Sequence, residues 1–219
     1  SQTIRLLTNV LLTRLLAPEI FGIINIVRSL MVGVELTSDI GISQNIVQSS
    51  KGLESQLLRT AWTLQILRGV LLFVIFFLMS PYIANLYREP IFSVIIPIVG
   101  IGFIISGFTS TSIFVLQKRL QFKLRIGFDV AIDCISALIY IAMAFLYPNI
   151  WSMVFGLVAV NFTRAIASHL LIRGLQNRIQ ISRDHLLEIV TFGKWVFAAS
   201  AVYFMTMHFD ILLQYPQAQ

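Results

Sequence analysis

The chain has 219 residues, 57% of them hydrophobic and only 12% charged, with a mean hydropathy of +0.84 and a formal charge of +6. A water-soluble domain carries about 25% charged residues, so this composition excludes an ordinary soluble domain and points into a bilayer. The basic residues are scattered through apolar runs, which argues against nucleic acid as a partner. A lone cysteine, Cys134, excludes an internal disulfide and a cysteine-rich metal site, and His169, His185 and His208 lack ligand spacing.

In chain order, residues 1–16 pattern as a helix of ~24 Å, a first span with its beginning missing. Arg5 and Arg14 interrupt it too often for a signal-peptide core. Residues 18–48 form the second span. Pro18 suits its first turn and Glu19 its positive dipole end, and Ser38–Gly41 marks a break. Residues 49–54 make a polar turn, 55–80 a third span, and 81–90 a turn with interfacial Tyr82, Tyr87 and Arg88. The fourth span, 91–117, is softened by Pro97 and three glycines. A basic amphipathic lead-in, 118–125, precedes the fifth span, 126–147; Pro148 and Asn149 turn the chain into the sixth, 150–175. Residues 176–183 are polar and 184–213 form a seventh span. The expected fold is all-α, a polytopic transmembrane helix bundle of about seven spans.

Loop charge sets the expected orientation. Alternate turns carry Lys51, Lys118, Arg119, Lys123, Arg125, Arg173, Arg178 and Arg183; the opposite turns carry only Arg14 and Arg88. The first set, and with it the N-terminal side, is expected in the cytoplasm.

The second span is greasy except for Arg28, Glu35 and Asp39, which fall within an arc of roughly 40° at 100° per residue. A charge at mid-membrane costs at least ~2.5 kcal/mol facing lipid, so this side must face a partner or water. Arg28 lies ~15 Å deep, near the midplane. Other spans add Arg59 and Arg68, Asp129 and Asp133 one turn apart, Arg164 beside Asn161, Lys194, and His208 with Asp210 near the outer end. Arg68, Asp129, Asp133 and Arg164 are expected to pair off between helices. Arg28 and Lys194 have no acid at i±3 or i±4, which marks them for function. The candidate cavity set is Arg28, Lys194, Glu35, Arg68, Arg164, Asp39 and Asp210. A basic surface inside a membrane wants an anion, and a lipid-linked sugar diphosphate fits. Cations would hold the diphosphate, and Asn25, Gln65 and Asn161 could meet hydroxyls. Carboxylates such as Glu35 could couple transport to a proton or sodium gradient; no other cofactor is called for.

The stretches RLLTNVLLTRLLAPEIFGIINIV, ELTSDIGISQNIVQ, TAWTLQILRG, LQKRLQFKLRIGFDVAIDCISALI and FGKWVFAASAVYFMTMHFDILL occur in that order. Together they resemble the bacterial polysaccharide (O-antigen/exopolysaccharide) flippase family of the multidrug/oligosaccharidyl-lipid/polysaccharide exporter superfamily. The resemblance runs to about Leu213. It implies a non-enzymatic transporter of two six-helix lobes that flips lipid-linked oligosaccharide by alternating access, among membrane lipids and other polysaccharide assembly proteins. It also implies a basic cavity, to which Arg28 and Lys194 are the positional matches. On this reading residues 1–183 are the N-terminal six-helix lobe, 184–213 the first helix of a second lobe, and 214–219 an unmatched polar tail, so the chain is a shortened form. A cation-coupled drug exporter of the same superfamily wants an acidic cavity and a glycan-handling enzyme wants larger outer loops; a non-transporting scaffold is the remaining alternative.

Overall fold

In the computed structural model, residues 2–172, 175 and 177–196 are described, and all their regular structure is helical. The helices are α1 (Gln2–Leu15), α2 (Pro18–Thr37), α3 (Ile42–Gln48), α4 (Ser55–Tyr87), α5 (Phe92–Gly107), α6 (Ser112–Lys118), α7 (Phe122–Leu146), α8 (Ile150–His169) and α9 (183–196). α2, α4, α7 and α8 are each long and apolar enough to cross a membrane, and α5 with α6 makes a fifth crossing if the bent pair is one span. The polytopic helical bundle is therefore as expected, with four to five such spans among the described residues. α1, at 14 residues, is ~21 Å long, and most of the expected seventh span lies outside the described residues.

The outside of the bundle is apolar. Leu67, Leu71, Leu78, Leu138, Phe145 and Phe162 all stand exposed, as lipid-facing side chains do. Inside, α5 packs along α4, α8 along α5, α7 along α8 and α1 along α7, while α2 touches α5 and α8. Phe76, Phe92, Phe103, Ile24, Val27 and Val99 centre the main core. Phe76 and Phe103 meet edge to face at 5.2 Å. α4 and α5 approach closely because Gly69 faces the backbone carbonyl of Phe103 and Gly107 faces Gln65 and Ile66.

Among the described helices, α2 and α5 each end at a short break followed by a seven-residue helix. The first breaks at Ser38–Gly41, as its sequence suggests. Asp39 Oδ1 accepts from the Gly41 N–H at 3.0 Å, and Gly41 takes a left-handed φ of 65°. Asp39 thus sits beyond the end of α2 rather than on a shared helical face with Arg28 and Glu35, because the helix stops at Thr37. The second break falls at 108–111, where α5 and α6 bend by 55°. Pro97, expected to soften this span, lies within continuous α5. The 108–111 break is held by hydroxyls. Ser110 N–H donates to Ser168 Oγ at 2.8 Å and Ser112 Oγ donates to Ser168 O at 2.6 Å. The short helices α3 and α6 that follow the breaks pack on each other, and a second core of Ile42, Ile46, Leu57, Ala61, Val115 and Ile189 joins them to α4 and α9. Lys118 Nζ donates to the Val47 and Ser49 carbonyls that end α3.

Three boundaries differ from expectation. α4 continues through Pro81 to Tyr87 instead of stopping at residue 80, because the helical form satisfies backbone groups that a turn in lipid would leave bare. α7 starts at Phe122, so the end of the basic lead-in is already helical, and α8 stops at His169 rather than 175. The chain after α8 runs back along α4. Thr63 Oγ1 accepts from Gln180 N–H at 3.0 Å, and Thr60 Oγ1 accepts from Ser182 N–H at 3.1 Å.

Candidate functional site

A cavity of about 450 Å³ opens where the two broken spans come together. Glu35, Asp39 and Ser43 line it from the first break, Thr109 and Phe114 from the second. Non-helical backbone inside a membrane is tolerated where it lines such a cavity, so the breaks and the space explain each other. α4 contributes Arg68, α7 Arg125 and α8 Arg164.

Arg68 bridges the end of α2. Its Nη2 donates to the Glu35 carbonyl at 2.8 Å and to Ser38 Oγ at 3.0 Å, both neutral acceptors. It has no salt bridge among the described residues, though its charge acts on the Glu35 carboxylate across the same wall. The Glu35 carboxylate likewise has no salt-bridge partner there. Arg164 Nη2 binds Asp129 Oδ1 at 3.0 Å, and Arg125 approaches Asp129 Oδ2 at 3.9 Å. Gln65, expected to meet hydroxyls, instead donates to the Ser106, Gly107 and Thr109 carbonyls at the end of α5. Asn161 lies against Gly102, and Asn25 is exposed.

Arg28 lies in a second cavity of about 230 Å³ between α1, α2, α7 and α8. It is the eleventh of the twenty residues of α2, so it sits halfway along the span. Its Nη2 donates to Tyr140 Oη at 3.0 Å and its guanidinium carbon lies 5.6 Å from the ring centroid. The ring reaches this place because Gly156 leaves room beside it on α8. Arg164 lines both cavities.

The structure thus brings Glu35, Asp39, Arg68 and Arg164 to one cavity and Arg28 with Arg164 to the next. Lys194 joins neither wall: it is exposed on α9, 5.8 Å from the Trp195 ring, beside the packing of Gly193 on Ile40. Asp210 and His208 lie outside the described residues. Of the four residues expected to pair off between helices, Arg164 pairs with Asp129 at 3.0 Å and Asp133 pairs with Arg5 at 2.9 Å, whereas Arg68 has no salt bridge among the described residues, because the end of α2 offers it neutral acceptors instead. Arg5 and Tyr140 were not among the sequence candidates. The spacing of Arg5, Thr8 and Asn9 on an otherwise greasy α1 was the available signal.

The model for the family described as "Polysaccharide biosynthesis protein" matches residues 11–213. The chain belongs to this family. It is 29% identical over 136 residues to the teichuronic acid biosynthesis protein TuaB of Bacillus subtilis (strain 168), covering 62% of this chain and 28% of that protein. It is also 29% identical over 115 residues to an uncharacterized membrane protein in the cps region of Klebsiella pneumoniae, covering 52% of this chain and 24% of that one. The chain thus spans about a quarter of the length of each of these relatives. No solved structure matches it. With its apolar helices, this makes it a membrane-embedded protein of the polysaccharide biosynthesis family.

Proposed function

We propose that this chain carries the anion-holding lobe of a flippase for lipid-linked oligosaccharide in the bacterial cytoplasmic membrane. The observation that carries the reading is the cavity at the two helix breaks, whose wall holds Arg68 without a salt bridge among the described residues, and Arg125 and Arg164 sharing the single carboxylate of Asp129. Guanidinium groups suit a diphosphate because they form paired, charge-assisted hydrogen bonds. Broken helices around a site are a common transporter arrangement, since packed half-helices can tilt about a break. The walls offer arginines, carboxylates and amides, groups that hold and release an anion, which favours a carrier over an enzyme. The family description, and relatives named for teichuronic acid biosynthesis and for a cps region, support reading the cargo as a polysaccharide intermediate. Residues 1–183 are read as one lobe and 184–213 as the first helix of another. The basic turns around Lys51 and Arg119 face the cytoplasm. Glu35, without a salt bridge in the cavity wall, is the group to couple transport to protons or sodium.

The test is binding of polyprenyl diphosphate to the purified chain in nanodiscs. Arg68→Ala weakens it by about tenfold or more, the worth of one charge-assisted hydrogen bond. Ser38→Ala, which removes only a neutral acceptor of Arg68, leaves it unchanged. Equal losses in the two variants would make Arg68 a structural brace and remove the cavity from the route.

A further inference from the structure

One buried ionisable group lies apart from both cavities. His185 is in the first turn of α9 and only 6% exposed. Two carboxylates from different parts of the chain face its ring. Glu54, the residue that leads into α4, places Oε2 3.7 Å from Nε2. Glu188, one turn along α9, places Oε2 3.6 Å from Nδ1. Neither distance is a hydrogen bond, and Nδ1 is buried with no hydrogen-bond partner.

A neutral imidazole carries a single ring proton. In either tautomer one bare nitrogen then turns its lone pair toward a carboxylate oxygen. Only the imidazolium offers an N–H to both, and a small closure of each gap makes two charge-assisted hydrogen bonds. The other charged groups at this corner are engaged elsewhere or face outward. Ser49 Oγ donates to the second oxygen of Glu188 at 2.7 Å. Lys118 of α6 donates to the Val47 and Ser49 carbonyls, and Arg59 of α4 donates to Gln180 Oε1. Lys51, Arg183 and Asp184 are exposed.

We propose that His185 is a proton site that works as a clamp: the imidazolium ties the turn before α4 to α9, and the neutral ring lets them part. Ile189, one turn beyond His185, sits in the apolar core shared with α3 and α4, so α9 stays docked in both states and the proton governs its first turn. The contact is firm at the acid end of the range in which histidines exchange their proton, about pH 5 to 8, and loosens as pH rises. In the orientation proposed above, this end of α9 faces the cytoplasm and opens the second lobe, so the clamp answers to cytoplasmic pH. The clamp itself stands whatever the cavities carry.

The experiment measures amide hydrogen exchange of the full chain in nanodiscs by mass spectrometry, with each rate divided by the intrinsic rate at the same pH. Peptides covering 49–54 and 183–190 are expected to lose about tenfold protection or more between about pH 5.8 and about pH 7.8, the scale of a charge-assisted hydrogen bond, while the middle of α4 is unchanged. His185→Gln gives the same low protection at both pH values. The double variant Glu54→Gln/Glu188→Gln, which keeps the histidine, also removes the response, and His169→Gln keeps it. Wild-type protection that does not change with pH overturns the proposal, as does a response that survives either of the first two variants. Loss of the response in His169→Gln assigns the proton to His169 and overturns it too. Should His185→Gln fail to fold, the double variant decides alone, since both glutamates are partly exposed.

Discussion

Arg164 is the residue on which the two cavities depend most directly, and its partner Asp129 limits what it can do. The pair is about one third exposed on each side, so its net worth is about 1 kcal/mol or less. That is weak enough for an incoming anion to displace. Asp129→Asn is therefore expected to free Arg164 and raise polyprenyl diphosphate affinity by about fivefold, whereas Arg164→Gln lowers it by a similar factor. A pair that merely locked α7 to α8 would shift affinity the same way from either side. That such ions pair was legible in the sequence, because Asp129 and Asp133 fall one turn apart on a span that needs counter-charges, but which cation meets which aspartate was not. The placement of Lys194 was not legible: the absence of a local acid does not show which way a side chain points, and this one is exposed on α9 beside Trp195. Tyr140 escaped notice because a tyrosine in a membrane helix reads as lipid-facing until a glycine opposite it is known.

Helix ends were readable where backbone chemistry is local and unreadable where it is not. Ser38–Gly41 contains a side chain that closes its own turn and a glycine able to take φ > 0, and the break is there. Pro97 and Pro81 carry the stronger sequence signal, yet neither ends a helix, because a membrane bundle absorbs one missing N–H. The other break is set by Ser110 and Ser112 reaching Ser168 on α8, a contact no window of sequence contains. Gly41→Ala should cost about 1 kcal/mol, read as a lower unfolding temperature in detergent, since a Cβ there is strained and meets Val196. Gly69→Ala should cost about 1–3 kcal/mol in the same assay, because the added carbon meets the rigid Phe103 carbonyl rather than a side chain that can turn away.

Taken whole, the molecule wears its apolar residues on the outside, and Cys134 reports on that surface. It is exposed on α7 next to buried Asp133, eight residues beyond the first residue of the span as read from sequence. In vesicles this thiol should react with a lipid-soluble maleimide and resist a charged, membrane-impermeant one until detergent is added. Prompt labelling by the charged reagent in intact vesicles would place this face of α7 in water and overturn the bundle's orientation in lipid. The number of membrane crossings was less legible than the all-helical class, because hydropathy counts apolar runs while α3 and α6 take seven-residue pieces out of two of them. Those two pieces are bolted together by core packing and by the Lys118 ammonium on the last carbonyls of α3. Neither kinked span can then swing alone: a tilt of one drags the other, and the space between them dilates or shuts as a single mechanical coordinate.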